Sequence, residues 1–158
     1  KLEMDVRDTV LLANAESIAV EASMVAYEGV VIAAERDAGS LRTMEENASK
    51  FGTHNIEIIP EITVEALEKL PTPRLAFIVA QESTIENDIV TLLKVNPKIK
   101  FIIYTLELDI LADIKYLMKK HGVDVTEVMQ IAVSKVDKNG VFVAQPAPWM
   151  ITCEVKEK

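Results

Sequence analysis

The stretch Val10-Leu11-Leu12-Ala13-Asn14-Ala15-Glu16-Ser17-Ile18 decides the fold, because an apolar run passes directly into a segment of helical periodicity. It predicts a strand at about 8–13 and a helix at about 15–27. A second continuous apolar run, Val30–Ala34, ends at the acidic residue Glu35. Apolar runs that alternate with helical segments are typical of βα units and a parallel sheet.

The same alternation continues along the chain. We predict further strands at 55–59, 75–80 and 99–104, and helices at 40–51, 63–70, 84–95 and 107–121. Ser40 is the expected N-cap of the first of these helices. Two extended segments follow, Val123–Lys135 and Val141–Val155, and the Asn139-Gly140 pair between them predicts a hairpin. We therefore predict a Rossmann-like α/β fold with a seven-stranded, mostly parallel sheet and a C-terminal antiparallel hairpin, whose reversed strand lies at a sheet edge or between parallel neighbours.

Size and composition limit the class of protein. The length of 158 residues predicts a single domain over 1–158. A chain of this length buries about 70% of its unfolded surface, so it needs no disulfide or metal for stability. A net charge of −8 argues against a nucleic-acid partner. Cys153 is the only cysteine, so a reducing cytoplasm is the expected location. No apolar run reaches the length of a membrane span, so we expect no membrane partner. Because the chain starts at Lys1, we expect that an N-terminal piece is missing from this sequence.

Several short segments share their order and spacing with one family. They are Ile18-Ala19-Val20-Glu21-Ala22, Glu28-Gly29-Val30-Val31, Ala34-Glu35-Arg36-Asp37, Glu46-Asn47-Ala48, Phe51-Gly52, Gln130–Lys135 and Ala144-Gln145-Pro146. With these segments the chain resembles the decarboxylating precorrin methyltransferases (precorrin-6Y or cobalt-precorrin methylases) of cobalamin biosynthesis, which are class I S-adenosylmethionine-dependent methyltransferases. RNA adenine methyltransferases of similar sheet order are the competing assignment.

The resemblance implies a C-methyltransferase. Its reaction would be methyl transfer from S-adenosylmethionine to a precorrin, a tetrapyrrole, with loss of a carboxylate from an acetate side chain. Relatives are typically homotetramers. The resemblance names no catalytic residue, and direct methyl transfer depends mostly on positioning the reactants. The candidate cofactor-binding residues are Ala13, Asn14, Ala15, Ser17, Glu35, Arg36, Ile62 and Gln81.

Glu35 is the strongest functional candidate. A carboxylate at the end of the second strand can accept hydrogen bonds from both ribose hydroxyls of an adenosyl group. The competing interpretation is a solvated acid that pairs with Arg36 or a nearby lysine.

The loops depart from the family pattern. Leu12, Asn14 and Glu16 stand where the family has glycines, and Gln81-Glu82 replace glycines after the fourth strand. Leu12 would fill ligand space, Asn14 tolerates a left-handed backbone, and Glu16 would either repel the cofactor's carboxylate or occupy its slot. Restoring these three glycines is therefore expected to improve binding. The alternative function is a non-catalytic homologue with impaired cofactor binding that acts as an oligomeric or partner-binding protein.

The other chemically active residues have structural interpretations. Glu82 and Ser83 are expected to cap the helix that begins near Thr84. Arg36 and Arg74 are candidates for binding substrate carboxylates, although surface charge is the simpler explanation of each. His54, His121 and Cys153 lie too far apart in sequence for a metal site. A core or interface position is expected for Trp149, and a buried position for Cys153.

Overall fold

The computed structural model describes residues 7–14, 28–51, 55–132, 134–144 and 147–156. In chain order the elements are β1 (Thr9–Ala13), β2 (Val30–Ala34), α1 (Ala38–Phe51), β3 (Ile56–Ile59), α2 (Val64–Glu68), β4 (Leu75–Val79), α3 (Ile85–Val95), β5 (Lys100–Thr105), α4 (Leu108–Lys120), β6 (Val123–Gln130), β7 (Ser134–Val136), β8 (Phe142–Ala144) and β9 (Trp149–Val155). The predicted helix over 15–27 lies outside the described residues. No helix in the described part of the chain has both the length and the apolar character to cross a membrane.

Seven strands form one sheet in the order β3-β2-β1-β4-β5-β9-β6. The pairs among β1 to β5 are parallel, whereas β9 is antiparallel to both of its neighbours, β5 and β6. The predicted Rossmann-like sheet is therefore confirmed. Of the two positions predicted for the reversed strand, the structure has the inserted one.

Strands β1, β2 and β4 are buried on both faces, which explains why they are continuous apolar runs. Successive side chains of a strand point to opposite faces. Leu11 and Ala13 of β1 belong to a core cluster that includes residues of α2, α3 and α4. Val10 and Leu12 belong to a second cluster, with Met44 of α1 on the other face.

The turn into β2 requires a glycine. A Cβ atom at Gly29 would overlap the main-chain oxygen of Asp8, which accepts a hydrogen bond from the Val30 N–H. The start of the next helix differs from the prediction. Helix α1 begins at Ala38, and its N-terminus is capped by Asp37, whose Oδ2 accepts from the Ser40 N–H at 2.8 Å. Ser40 is thus the donor in this cap, and its backbone hydrogen bond lowers the pKa of Asp37.

The predicted C-terminal hairpin is a separate two-stranded sheet of β7 and β8. Its turn is closed by Asp137, whose Oδ1 accepts from the N–H groups of Asn139 and Val141 at 2.8 and 2.9 Å. Gly140 has φ 77°, a left-handed conformation that suits glycine. Each predicted extended segment therefore contributes one strand to the large sheet and one to this small hairpin.

Candidate functional site

The candidate site is the edge of the sheet at the carboxyl ends of β1, β2 and β4, where open α/β sheets have their ligand crevice. Because β1 lies between β2 and β4, the connections after these strands meet at one edge of the sheet. The strand order reverses direction between β1 and β4, and open α/β sheets bind ligands at such a switch point. Asn14, Glu35 and Gln81 follow these three strands closely.

Asn14 ends β1 in a left-handed conformation, with φ 58°. Its N–H donates to Ala34 O at 3.0 Å, and its Nδ2 donates to Val79 O at 3.3 Å. Asn14 thereby joins the ends of β1, β2 and β4. The sequence indicated that asparagine tolerates this conformation, and the backbone takes a turn here without a glycine. Ala13 is buried, and Ala15, Glu16 and Ser17 lie outside the described residues.

Leu12 is a core residue. Its side chain is 1% exposed and belongs to the core cluster of Val31, Met44 and Phe77. The alternation of the strand turns this residue towards the face covered by α1.

Glu35 is fixed at the end of β2. Only 6% of the residue is exposed, its N–H donates to Ile59 O at 3.1 Å, and its Oε1 accepts from the Asp37 N–H at 3.0 Å. A carboxylate has about four acceptor positions on its two oxygens, so the bond from Asp37 leaves capacity for two hydroxyl donors. The competing interpretation, a solvated acid, does not suit a residue that is this deeply buried.

Arg36 forms an ion pair that the sequence analysis missed. Its Nη2 lies 2.9 Å from Oδ1 of Asp88 in the first turns of α3, and the Asp88 side chain is wholly buried. Burial raises the pKa of Asp88, the charge of Arg36 opposes that shift, and Glu61 adds to it. Asp88 lies three residues after buried Ile85 and one before buried Ile89. Helical spacing therefore placed a carboxylate on the apolar face of α3, and this signal was available in the sequence.

Of the remaining predicted contacts, Ile62 is buried and Gln81 is exposed. Ile62 is 2% exposed and packs in the core cluster that also contains Ile59 and Ile85. Gln81 is exposed, and its carbonyl accepts from the N–H groups of Thr84 and Ile85 at 3.1 and 2.9 Å. The N-cap of α3 is Thr84, not Glu82 or Ser83, and the Thr84 side chain makes no cap hydrogen bond. The expected capping by Glu82 and Ser83 is thus wrong.

Other residues singled out from the sequence lie away from the crevice. Arg74 stands just before β4, at the opposite edge of the sheet, where Nε and Nη2 pair with both carboxylate oxygens of Asp8 at 2.9 and 2.8 Å. It is therefore no candidate for binding substrate in this crevice. Cys153 is fully buried, and burial raises its pKa to about 12. Trp149 is half-buried opposite Thr105 of β5. His121 ends α4, and His54 lies outside the described residues.

The comparisons with known proteins agree with this architecture. A family model described as the precorrin methyltransferase domain matches residues 11–155. The precorrin-6Y C5,15-methyltransferase of Geobacter metallireducens has 23% identity and a TM-score of 0.86, over 98% of this chain and 84% of that one. The precorrin-8W decarboxylase of Methanobacterium thermoautotrophicum has 18% identity and a TM-score of 0.79, over 98% and 85%.

More distant structures share the fold as well. A Streptococcus pneumoniae structure in complex with S-adenosyl-L-methionine has 14% identity and a TM-score of 0.69, over 97% of this chain and 69% of that one. A search of curated proteins finds no match. Since the family model covers nearly the whole chain, it decides between the two assignments that the sequence left open. This chain belongs to the precorrin methyltransferase domain family.

Proposed function

We propose that the chain binds S-adenosylmethionine in the crevice and transfers its methyl group to a carbon of a precorrin. The observation that supports this proposal is the buried, fixed carboxylate of Glu35 beside the left-handed turn at Asn14. Together they supply an acceptor for a ribose diol and a glycine-like turn at the switch point. The residues present therefore fit an adenosyl group.

The bound cofactor supplies an electrophilic methyl group on a sulfonium. The chain contributes position: Glu35 holds the ribose, and the residues around Asn14 and Gln81 flank the rest of the cofactor. Ile62 and Arg36 border the side where the base would lie, because they follow β3 and β2. With the two reactants aligned, the new carbon–carbon bond would form as the carbon–sulfur bond of the sulfonium breaks and S-adenosylhomocysteine leaves, so no protein nucleophile is needed.

The substrate and its reaction are the finer part of the proposal. The family is named for precorrins, and the two structures with the highest TM-scores above are named for a C5,15-methylation and a decarboxylation. We assign this chain the same substrate class, a tetrapyrrole with carboxylate side chains, and the loss of one acetate carboxylate as carbon dioxide. The single buried thiol and the acidic charge suit a reducing cytoplasm and no nucleic-acid partner.

A homotetramer is proposed for the assembly. The β7–β8 hairpin exposes apolar side chains that a monomer would leave in water, with Phe142 77% exposed and Val136 and Val141 each 57% exposed. Contiguous exposed apolar groups mark interaction surfaces. A second copy of the same hairpin is the partner we propose, because a two-fold interface brings the same surface patch of both subunits together.

A labelled-methyl assay tests the proposed reaction. The chain is incubated with methyl-labelled S-adenosylmethionine and a precorrin, and label in the tetrapyrrole is counted together with released carbon dioxide. Glu35→Gln should lower kcat/KM about 10- to 100-fold, because one charged hydrogen-bonding group is lost. Glu45→Gln, on the exposed face of α1, is the matched control and should leave the rate unchanged. Neither cofactor binding nor label transfer would instead favour the alternative, a non-catalytic homologue with impaired cofactor binding.

A further inference from the structure

The ion pair between Arg36 and Asp88 connects two elements that flank the switch point. Arg36 is the second residue after β2, Asp88 lies in the helix that follows β4, and β1 separates these two strands in the sheet. Adjacent strands are about 4.8 Å apart, so β2 and β4 are separated by roughly 10 Å at the sheet edge. An arginine is long enough to reach across most of this gap. Its side chain therefore runs towards the switch point rather than into solvent.

The guanidinium is held by its tip. Nη2 pairs with Oδ1 of Asp88 at 2.9 Å, and Nη1 is itself buried, while the Arg36 side chain as a whole is 26% exposed. The exposed fraction therefore belongs to other atoms of the side chain than Nη1. Arginine usually has the opposite arrangement, with a buried stem and a solvated charge.

Apart from the ion pair with Arg36, no contact among the described residues offsets the desolvation cost of burying the Asp88 carboxylate. Its Oδ2 has no hydrogen-bond partner among the described residues, and the same is true of Arg36 Nη1. Its neighbours on the buried face of α3 are Ile85, Ile89 and Leu92. An apolar residue at position 88 would pack there without any desolvation cost. What the carboxylate adds is an anchor for Arg36.

We infer that Asp88 is a positioning residue, which anchors Arg36 so that its side chain forms the surface against which the base of the bound nucleoside rests. This inference depends on the proposed adenosyl cofactor, and it deepens that proposal. The guanidinium plane and its stem are suited to stacking on an aromatic ring. Glu35 immediately precedes Arg36, so one short segment would contact both the ribose and the base.

The test compares two ligands that differ only in the base. Calorimetric titration measures the affinity of the whole chain for S-adenosylhomocysteine and for S-ribosylhomocysteine, which lacks the adenine. Asp88→Asn keeps the shape of the side chain and removes its charge. It should weaken S-adenosylhomocysteine about 5- to 20-fold, the range expected for losing a stacked cation. The affinity for S-ribosylhomocysteine should stay within about twofold of the original.

Two further variants complete the design. The double variant Arg36→Met with Asp88→Asn removes both charges, so no unpaired charge is buried and folding is preserved. If Asp88 acts through Arg36, the double variant should bind S-adenosylhomocysteine about as weakly as Asp88→Asn alone. Asp113→Asn, at an exposed position of α4, is the matched control and should bind both ligands normally.

Each outcome has one meaning. If the unaltered chain binds no S-adenosylhomocysteine, the proposed function fails and this inference fails with it. If the chain binds and Asp88→Asn binds equally well, only the inference is overturned. Equal weakening of both ligands would show a general structural role for Asp88 and would also overturn the inference.

Discussion

The two members of the Arg36–Asp88 ion pair should differ sharply in what their removal costs the fold. Arg36→Met leaves the Asp88 carboxylate wholly buried with no opposite charge. Asp88→Asn leaves Arg36, whose side chain is already 26% exposed and can turn to water. The cost of breaking a buried pair comes mainly from the uncompensated charge left behind. The first substitution therefore creates this cost, and the second avoids it.

The magnitude follows from that difference. Arg36→Met should reduce the free energy of unfolding by about 3–5 kcal/mol at neutral pH. In a chain of this size this lowers Tm by roughly 6–20 °C. Asp88→Asn should change the free energy of unfolding by no more than about 1 kcal/mol, in either direction. Adding Asp88→Asn to Arg36→Met should recover most of the lost stability, because the double variant no longer buries an unpaired carboxylate.

The pH dependence has a defined sign. Burial raises the pKa of Asp88 above its ordinary value of 3.8, while Arg36 opposes the shift. A carboxyl whose pKa is raised by folding stabilises the fold below the unfolded pKa, and this contribution is lost as pH rises through the folded pKa. Without Arg36 the pKa of Asp88 should rise further. The destabilisation of Arg36→Met should therefore be smallest near pH 4 and should grow towards pH 7.

Urea unfolding measured at several pH values tests these expectations. Arg7→Met is the control, since it breaks an exposed pair with Glu28 and should cost at most about 1 kcal/mol. If Arg36→Met costs no more than Arg7→Met, Asp88 is not a buried charge that Arg36 compensates. A loss of several kcal/mol in Asp88→Asn would equally contradict the reasoning, because no buried charge is then left unpaired.

Four further outcomes are expected. Asn14→Ala should destabilise the fold by about 1–3 kcal/mol in urea unfolding, because it loses the bond to Val79 and strains a left-handed residue, whereas Asn14→Gly should cost less than half as much. Leu12→Gly should lose at least about 3 kcal/mol of stability by calorimetry, since Leu12 is a core residue, and should not improve cofactor affinity. Cys153 should react with a thiol reagent only after unfolding, because it is buried and its pKa is about 12. Phe142→Asp should reduce the assembly to smaller species in analytical ultracentrifugation while leaving Tm of the subunit fold nearly unchanged; an unaltered assembly would exclude the hairpin as the interface.

Much of the fold was predictable because local pattern and global packing agree. The apolar runs at Val10 and Val30 are continuous since both faces of a parallel sheet are buried. The position of β9 was open between two choices, because an alternating strand has the same pattern at an edge and between neighbours. We predicted Ser40 as the N-cap of α1, whereas the structure has Asp37. Both residue types are good N-caps and lie within one turn, so the sequence does not distinguish them.

The candidate site was predictable only where a single residue sets it. The position of Glu35 at the end of β2 was predicted from the apolar run before it. The left-handed backbone of Asn14 agrees with the tolerance of asparagine for this conformation. The partner of Arg36 did not follow, because Asp88 is 52 positions away and a pair of this kind depends on the sheet order. For Arg74 the sequence left two interpretations open, and its ion pair with Asp8 agrees with the simpler one, surface charge.

The most direct test of the central claim is calorimetric titration of the unaltered chain with S-adenosylmethionine and S-adenosylhomocysteine. The buried Glu35 carboxylate and the glycine-like turn at Asn14 predict saturable binding of both ligands in the micromolar range. No detectable heat at millimolar ligand, from a chain that unfolds cooperatively, would contradict the claim that this crevice holds an adenosyl cofactor.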